Sequence, residues 1–366
     1  MDPLIVVNGN LSMKHCDDPF DHKMFGFWLN GIGMNIIGVI GIFGNIITIL
    51  VLSRPRMRNS INHLLIGLAI SDLLVLITAI LMVGLAAIYP YTGRIKLYNY
   101  NIHPFLLIVV LPFANIAQTA STYMTLLVSL ERYIAVCYPL KARSLCTKKH
   151  AKFCMMIVAA FSILYNGVKF FELQLVEGID PDYGTFYCPR ASPLRRDPYY
   201  IKYYIHWMYL IVINVIPLSA ITFFNLQIFM RVKTVNKMRY QLTQREMQDI
   251  KLTSMLFAVV AVFLICNSPA VLSNIYESFL TNIMIDDRLV KISNFMIALS
   301  SSVNFIIYVV LVKKFRLVFV DQMKSILLCS VAPQKQMPFN RRISRLDSER
   351  YSVSHTTTDT LTTSLC

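Results

Sequence analysis

Three sets of residues in this chain have the types and spacing for chemistry. Glu131-Arg132-Tyr133 sets a carboxylate beside a guanidinium at the end of a run that begins as an apolar helix near Ala117. Asp72 stands alone in Leu68-Ala69-Ile70-Ser71-Asp72-Leu73-Leu74. Asn115 and Gln118, at i and i+3, share one helix face, with Ser121 a further turn along. The chemistry these groups suit is charge pairing and ion binding. A lone carboxylate in hydrocarbon costs several kcal/mol unless it is protonated, paired or coordinating a cation. Ser121 can offer Asp72 an oxygen at similar depth. No His-Glu-x-x-His helix, metal-ligand cluster or nucleophile–base constellation accompanies them, so an enzyme is not expected.

The elements that must hold these groups are long and apolar. Of the 366 residues, 55% are hydrophobic and 15% charged, and the mean hydropathy is +0.54, more than a soluble domain can hide. About 20 apolar residues cross the roughly 30 Å of a bilayer core as a helix. Such runs lie at about 27–52, 62–88, 104–136, 150–172, 201–231, 250–278 and 288–312. All are expected to be helical, because hydrocarbon leaves backbone groups no water to bond.

The expected fold is therefore all-α, a bundle of seven membrane-spanning helices. Met1 to Asn10 lacks the cationic and apolar regions of a secretory signal, so the first span is expected to direct its own insertion. Of 35 Lys and Arg, 24 fall in the segments on the C-terminal side of the membrane and 11 on the other, which places the N-terminus outside. The formal net charge of +15 is then a topology signal, and a nucleic-acid partner is not expected.

Residues 1–26 form an outer tail with one glycosylation sequon, Asn10-Leu11-Ser12. Residues 27–312 are the spanning domain, and the outer segment from Glu172 to Lys202 is long enough to be functional in its own right. Residues 313–328 alternate basic and apolar side chains from Lys313 to Val320, as a short amphipathic helix on the bilayer surface would. Cys329 beyond it is a palmitoylation candidate, and residues 329–366 are polar, rich in Ser and Thr, and expected to be disordered.

Motifs in nearly every span, in order, carry a resemblance that periodicity does not. They are Gly44-Asn45, Leu68 to Asp72, Glu131-Arg132-Tyr133 with Pro139-Leu140, Pro217, Pro269, and Asn304 to Tyr308. Over about 27–328 the chain resembles a rhodopsin-class G-protein-coupled receptor. Within that class it is most similar to invertebrate FMRFamide-type neuropeptide receptors, on the runs Ala117 to Cys137, Lys141 to Thr147, Cys266 to Pro269, and Val303 to Tyr308 with Lys313 to Arg316.

The resemblance implies a plasma-membrane receptor whose partners are a neuropeptide, a heterotrimeric G protein, a receptor kinase, arrestin and the lipid bilayer. Glu131, Arg132, Tyr133, Asn304 and Tyr308 would form its switch, with Asp249 at the base of the sixth helix as a second anchor for Arg132. Asp72, Ser121 and Asn304 match the class's sodium pocket; no other cofactor is implied. Ala114 and Ala298 stand where amine receptors carry Asp and opsins carry Lys, so a peptide ligand is favoured. For an Arg-Phe-amide end, Glu277 is the expected acid, with Asp286 and Asp287 as alternatives, and Asn115, Gln118 and Asn294 are candidates to read the amide.

Departures from the class are also visible. Asn267, Phe305 and Asn225 replace a Trp, a Pro and a Tyr. Leu107 occupies the position of the usual helix-three cysteine. Cys188 remains in the second outer loop and Cys16 is the other cysteine expected outside, so a Cys16–Cys188 disulfide or two free thiols is expected there. Another peptide, a lipid ligand or a transporter are the competing readings.

Overall fold

The structure is a computed structural model. Its backbone is described over residues 5–7, 10–12, 20–57, 59–95, 97–180, 184–237, 244–279 and 287–331. Side chains are described from 23 to 324 except at 56, 58, 96, 99–100, 178–186, 234–257 and 276–287.

Among the described residues, seven helices are long and apolar enough to cross a membrane. They are α1 (Lys23–Leu52), α2 (Ser60–Thr92), α3 (His103–Cys137), α4 (Lys148–Phe171) and α5 (Tyr200–Lys233), then α6 (Gln244–Phe279) and α7 (Asp287–Leu311). A further helix, α8 (Lys313–Val331), follows the seventh span. The residues from Val320 onward count as a separate unit. Each span falls within a few residues of its sequence expectation, because the need to satisfy backbone groups inside lipid leaves helices little alternative.

Two hairpins add β-structure to the expected all-helical fold. Strands β1 (Ile5–Val7) and β2 (Asn10–Ser12) pair antiparallel in the N-terminal tail. Strands β3 (Leu173–Asp180) and β4 (Gly184–Ala191) pair between α4 and α5, with Val176 opposite Cys188. The second pair explains the length of the segment after α4, since antiparallel strands satisfy one another's backbone groups where the helix has ended. Below, the hairpin end and the Arg132 end name the two ends of the bundle.

Proline shapes two spans. Pro269 cannot donate to the carbonyl of Ile265, and the Ser268 hydroxyl bonds that oxygen instead at 2.8 Å. Ahead of Pro217, the stretch Tyr200–Val215 is wound as a wider π-helix, and the N–H of Ile216 reaches back to the carbonyl of Ile211.

Close approach of backbones holds α1 in place. A Cβ on Gly38 would stand 2.8 Å from Ile80, and one on Gly44 would stand 2.8 Å from Phe305. Gly41 faces Ser302 and Leu76 so tightly that a methyl would overlap both. Small residues at such a seam let packing alone associate helices in lipid. The core beneath is built from Leu64, Leu68, Met124, Val128, Ile307 and Tyr308, while Phe43, Leu164 and Ile265 project from the bundle where lipid would meet them.

An alanine inside a helix ordinarily adds about 1 kcal/mol over glycine. Gly41→Ala should do the reverse, lowering stability by about 1–3 kcal/mol through overpacking. Thermal unfolding of the purified protein in detergent measures the sign.

Candidate functional site

Asp72 is 1% exposed and lies at the meeting of three helices. The Ser121 hydroxyl on α3 donates to its Oδ1 at 2.6 Å. The Asn304 amide on α7 donates to its Oδ2 at 2.7 Å. With both oxygens accepting, the Asp72 side chain fastens α2 to both neighbours. Ser301 also stands within hydrogen-bonding range of it. Asn45 extends the network to α1 by donating to the carbonyls of Ser301 and Gly41, both at 3.0 Å. Ser302 adds a bond to Ile37 at 3.1 Å. The expected trio of Asp72, Ser121 and Asn304 is thus assembled, with Asn45 as a fourth member.

At the Arg132 end, Glu131 has the Ser60 hydroxyl, Arg132 and His63 around its carboxylate, which sets it against the first turn of α2. Tyr133 turns toward α5, stacked on Phe224 with ring centroids 5.2 Å apart. Asn225, in place of the class's tyrosine, donates to Ser129 at 3.2 Å and to Ile221 at 2.7 Å. That contact joins α5 to α3 one turn before Arg132. Asp249 belongs to α6, but its side chain lies outside the described residues. Tyr308 is 2% exposed, one turn beyond Asn304.

The hairpin end holds an ion pair that sequence reading missed. Glu172, directly after α4, is 2% exposed. Its Oε2 meets Arg195 at 2.7 Å and its Oε1 accepts from the Tyr200 hydroxyl at 2.8 Å. Ser192 reinforces the join: its N–H bonds the Glu172 carbonyl at 2.9 Å and its hydroxyl bonds the Phe171 carbonyl at 2.6 Å. The strand pair, the end of α4 and the start of α5 are thereby one piece. Five aromatic rings, Tyr123, Phe161, Tyr165, Tyr204 and Tyr200, run beside it in successive contacts of 4.9, 5.8, 5.6 and 5.0 Å. In sequence, Glu172 reads as a charged helix end; its partners are 23 and 28 residues away.

Among the described residues, no contact brings Asn115, Gln118 and Asn294 together. Asn115 bonds its own helix at the Leu111 carbonyl, 2.8 Å away. Gln118 and Asn294 are half-buried and have no hydrogen-bond partner among the described residues. The side chains of Glu277, Asp286 and Asp287 lie outside the described residues, as do those of Asn10 and Cys329. Cys188 carries a free thiol. It is buried on β4, and burial pushes its pKa above the ordinary thiol range, which favours the protonated, less reactive form. Cys16 lies outside the described residues.

The model of the 7 transmembrane receptor (rhodopsin family) matches residues 44–308, which include the Asp72 cluster and the Arg132 end. The chain belongs to this family. It is 44% identical over 309 residues to the FMRFamide receptor of Drosophila melanogaster, covering 83% of this chain and 56% of that protein. The match thus spans little more than half of the Drosophila receptor's length. The FMRFamide peptide receptor frpr-18 of Caenorhabditis elegans is 31% identical over 300 residues, 78% of this chain and 67% of its own. The human thyrotropin-releasing hormone receptor is 29% identical over 309 residues, 78% of this chain and 75% of its own. The protein is accordingly a multi-pass membrane protein of a receptor family, not an enzyme.

As a rhodopsin-family receptor it handles its departures locally. The Asn267 amide, where the class has Trp, is spent on the Phe263 carbonyl of its own helix at 2.8 Å. Phe305, where the class has Pro, packs against Gly44 of α1 and edge-on to Phe315 and Phe319 at 6.2 and 5.9 Å. The helix α7 runs unbroken through it.

Removing one partner of a buried hydrogen-bonded charge leaves the other's desolvation unrelieved. Arg195→Gln should lower the receptor's stability by about 1–3 kcal/mol, the low end reflecting Arg195's 40% exposure. The double variant Glu172→Gln/Arg195→Gln should recover much of that loss. A double-mutant cycle on thermal unfolding measures the coupling.

Proposed function

We propose that this chain is a plasma-membrane receptor for an amidated neuropeptide of the FMRFamide type, which turns peptide binding outside the cell into activation of a heterotrimeric G protein within. The observation that carries this reading is the 44% identity with the Drosophila FMRFamide receptor across 83% of the chain. The charge asymmetry of the connecting segments supports an extracellular N-terminus and a cytoplasmic Arg132 end.

A peptide ending in Arg-Phe-amide asks for a carboxylate to meet the guanidinium and neutral polar groups to meet the amide. Glu277 is our choice for the first, ahead of Asp286 and Asp287. Gln118 and Asn294, half-buried and uncommitted, suit the second better than Asn115, which is bonded to its own helix. A small-amine or retinal reading finds no support, since Ala114 and the buried Ala298 stand at the anchoring positions.

Binding signals only if it favours one conformation over another. The two-state element we propose is Arg132, held by Glu131 and, from α6, by Asp249. Its release would let α6 swing about the bend at Pro269 and admit the G protein. Asp72 with the oxygens of Ser121 and Asn304 is a donor set of one carboxylate and neutral groups, suited to a sodium ion, which would neutralise the buried charge when bound. Glycosylation at Asn10, palmitoylation at Cys329, and regulation by receptor kinase and arrestin through the Ser- and Thr-rich residues from Ser344 onward belong to the same proposal. A different peptide is the second reading, favoured by the 29% identity with the human thyrotropin-releasing hormone receptor.

G-protein activation should follow amidated Arg-Phe peptides and fail with the matching free acids; equal responses would remove the amide from recognition. Glu277→Gln should weaken an Arg-bearing peptide at least tenfold while leaving a citrulline analogue nearly unchanged, since a charge-assisted pair is worth about 1.5–3 kcal/mol. Asp72→Asn should abolish the sodium dependence of agonist affinity, measured by radioligand competition across salt.

A further inference from the structure

Asn166, Lys169 and Glu172 close α4 along a single face. Residues Gly167–Phe171 are wound as a 3₁₀ turn, and at about three residues per turn the side chains three apart eclipse one another. Asn166 shows which face this is. It is fully buried, and its amide donates to the Thr119 hydroxyl of α3 at 2.9 Å. Glu172, at the other end of the row, is buried too, with its oxygens engaged by Arg195 and Tyr200. Phe170 and Phe171, 37% and 70% exposed, turn away from that face. Lys169 is therefore an inward lysine, not one that snorkels to lipid headgroups.

The Lys169 ammonium lies over the Tyr209 ring of α5, 5.3 Å from its centroid. It has no hydrogen bond or ion pair among the described residues. The charges that bear on it are those of Glu172 and Arg195, and Glu172 is already committed to Arg195 and Tyr200. Two cations thus share one carboxylate. A ring face returns less to an ammonium than a carboxylate does. The side chain is half-buried and its nitrogen is not sealed from solvent, so a solute can reach it.

The bond between Asn166 and Thr119 also sets the lysine's height. A 3₁₀ turn rises about 6 Å and an α-helical turn about 5.4 Å. Lys169 on α4 accordingly stands level with Asn115 on α3, one turn from Thr119 toward the hairpin end. Gln118, half-buried and uncommitted, adjoins Thr119 in the same helix. An unanswered cation therefore sits at the depth of the residues assigned to the peptide.

We propose that Lys169 anchors a carboxylate of the peptide ligand. This rests on the reading of the chain as a receptor for an amidated peptide and adds a feature to that ligand: an Asp or Glu on the N-terminal side of its Arg-Phe-amide end. An amidated end has no carboxylate of its own, and the last two side chains are basic and aromatic, so the acid comes from upstream. The same lysine repels the ligand's arginine and turns it toward the acid on α6. The two charges lay the peptide across the bundle, its acidic segment against α4 and its amidated end against α6 and α7.

The test is competition against the tritiated parent peptide on the full-length receptor, using amidated heptapeptides. Each ends in Phe-Met-Arg-Phe-amide behind three alanines, one of which is replaced in turn by Asp or by Asn; the parent keeps all three. On the wild-type receptor the best Asp peptide should bind about tenfold or more tighter than its Asn twin, as a charge-assisted bond requires. Lys169→Gln should erase that preference and leave the parent's affinity unchanged, while Lys169→Arg should keep the preference. Equal binding of every Asp and Asn pair by the wild type would overturn the proposal, as would an Asp preference that survives Lys169→Gln. Loss of the parent's binding in Lys169→Gln would mark a structural role and overturn it too. So would a parent affinity that changes when isethionate replaces chloride in the wild type and not in Lys169→Gln, which would assign the lysine to a free inorganic anion. A wild-type receptor that binds none of the peptides, the parent included, would remove the amidated-peptide reading itself and this proposal with it.

Discussion

The carboxylate of Asp72 is the constraint around which the bundle closes. A charge at that depth is tolerated only if both oxygens are answered, and the answers come from different helices, Ser121 on α3 and Asn304 on α7. Three spans must therefore arrive at one point in one register. Asn45 then draws in α1 through the Ser301 carbonyl, and the glycines at 38, 41 and 44 allow the backbones the proximity that this bond demands. Nonpolar packing alone would tolerate a rotated or shifted helix, because lipid tails compete equally with any apolar face. The buried charge does not.

The two ends of the bundle are secured by different means. At the hairpin end, Glu172, Arg195 and Tyr200 bind the loop to α4 and α5, and the ring ladder from Tyr123 to Tyr200 gives that side a broad stiff face. At the Arg132 end the ties include Ser60 to Thr147, Asn225 to Ser129, and the stacking of Tyr133 on Phe224.

The spans were legible in the sequence because bilayer thickness dictates their length and lipid dictates their helicity. Asp72 was legible as an anomaly, and its partner Ser121 followed from depth along α3. What could not be read was anything set by distant residues meeting. The Glu172 pair joins positions 23 residues apart with no periodic signal. The β3–β4 pairing lies in a segment whose mixed charge hides its alternation. The amide at Asn267 has a choice of partners that the sequence does not settle. It bonds its own helix, because a carbonyl one turn back is always within reach of an asparagine in a membrane helix.

Phe305 has a consequence for how such a bundle can move. A proline at this place would leave an open carbonyl and a ready bend; a phenylalanine keeps the hydrogen-bond ladder whole and wedges its ring among Gly44, Phe315 and Phe319. The first and seventh helices and the opening turns of the eighth then behave as a single strut, anchored at mid-depth by Asn304. Proline stands instead in α3, α5 and α6, at 112, 217 and 269. That strut meets Asp72 directly, through the Asn304 amide, and Asp72 passes the hold on to α3 through Ser121.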